Sequence, residues 1–157
     1  MIIQIAVGIA YSSLVVILCF AKPNAGRIFL GFFFIAMGIG VNLTFVLVSP
    51  TFVADYGRAA WFPLYRMLTE LIIVPSPVIF GILLIIFEVT MGILLLSEGK
   101  WVKFGLIGTM VFIAGLAPIH IAQVAWAGSI AGHIYCLTKE FDTSFITMVS
   151  SRFRKKD

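Results

Sequence analysis

Long stretches without a charged side chain are what most constrain this chain. Ile2 to Phe20 has none, and Phe104 to Thr138 runs for 35 residues without one. Across 157 residues, 61% are hydrophobic and 11% are charged, against about a quarter charged in water-soluble domains. A soluble fold of this size cannot hide so much apolar surface, whereas a bilayer accepts it. The expected class is all-α: a polytopic membrane helix bundle forming a single domain over residues 1–157.

The first segment, Ile2 to about Phe20, is long enough to span. Met1-Ile2-Ile3-Gln4 lacks the basic start of a secretory signal, and Leu18 before Cys19 fits a lipoprotein cleavage site poorly, so a retained helix is expected. Ala21 to Gly26 reads as a tight turn, and the second segment runs from Arg27 to Val48. Residues 51–76 mix Asp55, Arg58, Arg66 and Glu70 with Trp61 and Tyr65, as an interfacial segment at the membrane surface does. Ser76 and Pro77 are a cap and a first helical residue for a third segment, Pro77 to Ser97. As one helix, Phe104 to Thr138 would be roughly 52 Å long, beyond a bilayer core of about 30 Å. Pro118 offers a break, giving spans over 101–117 and 119–138. The prediction is five transmembrane helices, or four if the last two are one kinked helix.

Charge placement favours five. With the N-terminus outside, five spans put Lys22, Arg27, Lys100, Lys103, Lys139, Arg152, Arg154, Lys155 and Lys156 inside and only Arg58 and Arg66 outside, nine against two. Four spans give seven against four. The expected location is the cell membrane, multi-pass, with a cytoplasmic C-terminal tail over 139–157. The net charge of +4 is accordingly an orientation signal, and no nucleic-acid partner is expected. Arg152 to Lys156 read either as a basic end near anionic headgroups or as a solvated charged end.

Segment two reads Arg27-Ile-Phe-Leu-Gly31-Phe-Phe-Phe34-Ile-Ala-Met-Gly38, and segment three carries Glu88-Val-Thr-Met-Gly92 before a Leu run, with Lys103 opening the next helix. In this order and spacing the chain resembles DoxX-like membrane proteins over residues 27–138, with 1–21 as an added N-terminal helix. The family often has a Lys shortly after the second Gly, where this chain has Val41 and Asn42. The resemblance implies a small helix bundle with Arg27, Gly31, Gly38 and Gly92 as structural motif residues. It also implies accessory or assembly roles in membrane complexes, some of them redox-linked and associated with quinones.

Glu88 is the sharpest candidate for chemistry. It lies roughly 13 Å from the inner end of its helix, where an ionised carboxylate costs at least ~2.5 kcal/mol unless it is protonated or hydrogen-bonded. Tyr11, Thr109, Ser129 and His133 fall at broadly similar depths, so these five form a candidate ligand or proton site, with Glu88 and His133 as a candidate proton-sharing pair. The bland alternative is a packing Glu satisfied by hydroxyls. His120 and His133, 13 apart, lie roughly 20 Å apart on one helix, so neither haem nor a metal is expected. Arg27 reads as an anchor snorkelling to the headgroups, or as a partner for Glu98. Arg66 and Glu70, four apart, can pair; Arg58, Trp61, Tyr65 and Arg66 either solvate the interface or rim a pocket. Asn42 is expected to bond across helices, and the small residues from Ala122 to Gly132 to form a close-packing face. Cys19 and Cys136 lack CxxC spacing and read as ordinary buried residues.

No residue set reads as catalytic. The leading expectation is a small accessory or assembly subunit, partnered by the lipid bilayer and by other membrane subunits or copies of itself. The alternatives are a quinone-linked redox component, with quinone the one cofactor implied, and a carrier of a small lipophilic molecule.

Overall fold

The computed structural model describes residues 1–154, and within them every regular element is helical. Lys155 and Lys156 of the basic end lie outside the described residues. The elements are α1 (Ile2–Ala21), α2 (Pro23–Ala36), α3 (Leu43–Val48), α4 (Phe52–Arg58), α5 (Pro63–Leu68), α6 (Pro77–Leu96), α7 (Lys100–Leu116), α8 (Ile121–Ala127), α9 (Ile130–Leu137) and α10 (Phe145–Arg154). A π-helical turn, Met37–Asn42, joins α2 and α3 into one rod, and a second, Thr69–Ile73, extends α5. The α8 and α9 helices continue one another, so five rods make up the body.

Three rods are long and apolar enough to cross a membrane: Ile2–Ala21, Pro23–Val48 and Pro77–Leu96. Their outward faces carry exposed Ile17, Ile79, Leu83 and Ile86, a surface that suits hydrocarbon. This is a membrane helical protein.

The second rod starts at Pro23 rather than Arg27, because proline's fixed φ and missing N–H suit a first helical position. Chain reversal at Pro118 is real: α7 stops at Leu116, and α9 packs back along α7. The Lys103 ammonium meets Glu140 at 2.7 Å, and Gly99 N–H donates to the Phe141 carbonyl, which ties the start of α7 to the end of α9. Gly99 takes φ +59°, a left-handed turn that glycine adopts without penalty.

Two ends are thereby defined. At the basic end, the α1–α2, α6–α7 and α9–α10 connections gather Lys22, Lys100, Lys103 and Lys139. Arg27 fastens them together. It is 0% exposed and donates to Asn24 Oδ1, to the Leu95 and Ser97 carbonyls at the end of α6, and to the Thr143 carbonyl. The expected snorkelling anchor is therefore corrected, and so is the Glu98 pairing. Unsatisfied helix-terminal carbonyls outcompete a carboxylate that instead accepts from Ser144 N–H. The run beyond residue 139, expected as a plain tail, contains α10.

At the other end, α4, α5 and the second π turn form a cap over the rods. Trp61 N–H donates to the Ile119 carbonyl, Tyr65 hydroxyl to the Gly115 carbonyl at 2.7 Å, and Gln123 Nε2 to the Tyr56 hydroxyl at 2.8 Å. The Arg66–Glu70 pairing that the spacing allows is not the one made. Residue 66 lies in α-helix and residue 70 in the π turn, so the four-residue spacing no longer stacks them. Arg58 Nε takes Glu70 instead, at 2.8 Å, with Asp55 at 3.3 Å, and the two carboxylates hold its guanidinium above its ordinary pKa, Glu70 most.

The rods pack in a ring, α1 to α2, α2 to α6, α6 to α7, α7 to α9, and α9 with α8 back to α1. Two seams are close. Gly31 and Gly92 oppose each other, and a Cβ on Gly92 would stand 2.7 Å from the Gly31 carbonyl oxygen. Along α1, Gly8 faces Ala125 and Trp126, Ser12 faces Gly128, and Cys19 faces Gly132. Ser12 hydroxyl donates to the Ala125 carbonyl at 2.6 Å. The small-residue face of the last rod is thus spent on α1, the usual device of helices that associate in lipid.

Candidate functional site

On the cap side the five rods diverge around a cavity of about 740 Å³, within the range of small-molecule sites. Every rod and the cap contribute to its lining. Ile3, Val7 and Ile72 both line it and are exposed, which places them at its rim. Both π turns border it, through Val41 and Asn42 in one and Thr69 and Ile72 in the other. Such turns recur at functional sites because the widened coil interrupts regular packing.

The floor is set by the lining residue of each rod that lies nearest the basic end: Tyr11, Phe33, Glu88, Phe112 and Trp126. Four are aromatic and they interlock. Tyr11 and Phe33 rings lie 4.4 Å apart, Tyr11 and Trp126 4.7 Å, and Phe34 bridges to Phe112 at 6.1 Å. Glu88 is the fifth, only 3% exposed. Its Oε2 accepts from Asn42 Nδ2 at 2.6 Å. Gly38, one turn below Asn42, stands against Glu88 Cβ and Val89 and lets the two rods close here.

Of the five expected site residues, Glu88 and Tyr11 share the cavity. The other three do not reach it. Thr109 hydroxyl bonds the Gly105 and Leu106 carbonyls of its own helix, Ser129 hydroxyl the Trp126 carbonyl, and His133 Nδ1 pairs with the Ser129 carbonyl. Glu88 therefore pairs with Asn42 and not with His133. Similar depth along the rods is not proximity, because residues on different sectors of a ring face different neighbours. Tyr11 hydroxyl and His133 Nε2 are buried without a partner among the described residues.

Tyr65 lines the cavity, whereas Arg58, Trp61 and Arg66 lie on the cap outside it. His120 caps α8, its Nδ1 accepting from Ala122 N–H at 3.2 Å. Cys19 and Cys136 are both buried and free, and they meet at the α1–α9 contact near the basic end. Phe33, Phe112 and Trp126 gave no signal in the sequence, since a membrane helix carries aromatics on any face. Asn42 did: an amide within an apolar run needs a partner across helices.

The arrangement can enclose an apolar body and hold one polar group at its floor. No protein family, curated protein or solved structure matches this chain.

Proposed function

We propose that this chain is a five-span membrane protein, N-terminus outside and C-terminus cytoplasmic, that binds and carries a small lipophilic molecule whose polar group meets Glu88. The observation behind the binding role is the cavity itself: an apolar chamber whose floor bears one carboxyl. Intramembrane carboxylates are costly and are commonly kept for ligands or protons. The α7 rod and the Ile121–Leu137 rod, 17 residues each, are roughly 25 Å long, at the short end of what spans a bilayer. Lys22, Lys100, Lys103 and Lys139 at one end against Arg58 and Arg66 at the other support the orientation.

The binding test is saturable uptake of a neutral fluorescent lipophile by the detergent-solubilised protein. Ala122 lines the cavity and is 3% exposed, so Ala122→Phe puts bulk at the cavity wall. Binding is expected to fall by about tenfold in that variant, as when a hydrophobic pocket loses a ligand-sized contact. Equal binding in wild type and variant rejects the cavity as the site. Mass spectrometry of molecules retained in mild detergent identifies the occupant, and a retained quinone would favour a redox-linked role.

A second reading, a DoxX-like accessory or assembly subunit, draws on one observation. Gly31, Gly38, Glu88 and Gly92, which carry the resemblance, lie along a single α2–α6 seam. Co-purification of a stoichiometric membrane partner would support it.

A further inference from the structure

We infer that the ligand of this cavity is a lipophilic monocation, an organic ammonium or onium ion whose charge sits against Glu88 within the aromatic floor. This deepens the binding role proposed above and rests on it.

Three features converge. The first is charge. Glu88 is the only Asp, Glu, Lys, Arg or His among the lining residues. The described lysines and arginines lie off the cavity wall, so no cation among the described residues compensates that carboxyl. The second is valence. Asn42 occupies Oε2, and Oε1 has no partner among the described residues. The third is the aromatic floor that it shares. Tyr11, Phe33, Phe34, Phe112 and Trp126 form a continuous aromatic surface, with successive ring centroids 4.4 to 6.1 Å apart. Aromatic faces attract a desolvated cation and repel an anion, and cages of such rings recognise quaternary ammonium groups.

The chemistry selects among ligand classes. An anion meets a carboxyl and ring faces, both repulsive, and the donors at the floor, the Tyr11 hydroxyl, the Trp126 indole N–H and Asn42, are uncharged. A neutral lipophile gains the apolar walls and at most a hydrogen bond to the carboxyl, without cancelling its charge. A cation with apolar substituents gains both, and its own low hydration cost lets it leave water.

The test uses three probes of similar bulk on the full-length protein in mild detergent: tetraphenylphosphonium, the isosteric anion tetraphenylborate, and neutral triphenylphosphine oxide, each by equilibrium dialysis. The cation is expected to bind at least about tenfold more tightly than the anion. Glu88→Gln should reduce cation binding about tenfold, and by clearly more than it reduces binding of the neutral probe. Equal affinity for cation and anion in the wild type, a comparison that needs no variant to fold, overturns the inference. So does a cation affinity that Glu88→Gln leaves intact. Either outcome with retained neutral binding leaves the lipophile reading standing, whereas saturable binding of none of the three removes both.

Discussion

The two halves of this bundle are built on opposite terms. The twelve largest wholly buried side chains, from Arg27 and Phe141 down to Ser129, all lie on the basic side of the floor residues Tyr11, Phe33, Glu88, Phe112 and Trp126. That half is packed through glycine seams and one buried arginine. The cap half uses the same rods and spreads them around the cavity. In lipid there is little hydrophobic drive between helices, so contact and hydrogen bonding hold rods together. One closed half can therefore carry a second half that stays open.

Substitutions should separate the halves cleanly. The largest effect is expected for Arg27→Ala, which leaves the Leu95, Ser97 and Thr143 carbonyls without their donor. The Leu95 carbonyl is buried and costs about 1–3 kcal/mol when left unpaired, and with the two part-buried bonds lost as well thermal stability in detergent should fall steeply. Arg27→Lys should recover only part of this, since an ammonium lacks the fork that reaches both sides. Next, Leu106→Ala in the closed half should cost about 2–5 kcal/mol. Phe112→Ala, which trims a wall already facing the cavity, should lower the unfolding temperature less despite removing more atoms. Gly92→Ala should cost about 1–3 kcal/mol by pushing a methyl onto the Gly31 carbonyl. Gly115→Ala, in open space, should stay within about 0.5 kcal/mol. Smallest of all, Arg58→Ala removes only exposed ion pairs and should leave the unfolding temperature unchanged. A steep loss at Phe112 or Gly115, matching Leu106 or Gly92, would show that the cap half is as tightly packed as the other.

The rods were legible because each signal was local. A charge-free run sets a helix, Ser76-Pro77 starts one, and Pro118 ends one. The pairing Asn42–Glu88 was legible on one side only: 46 residues separate the two, and nothing in the sequence states that α2 lies beside α6. Arg27 misled because a basic residue at a membrane boundary ordinarily reaches for water, and only the assembled loops supply carbonyls enough to keep it inside. Residues 145–154 gave too short and mixed a pattern to be read as α10. The cavity itself is a property of how five rods diverge, and single-rod periodicity carries no trace of it.

Ser12 on the first rod bonds the Trp126 carbonyl 114 residues later, in a seam between parallel rods. No earlier segment offers that contact. The α1 rod precedes α8 in the chain, so this side of the ring closes only after every rod between them has been made. Closure is a long-range event, fixed by the last rod and not by the neighbour of the first.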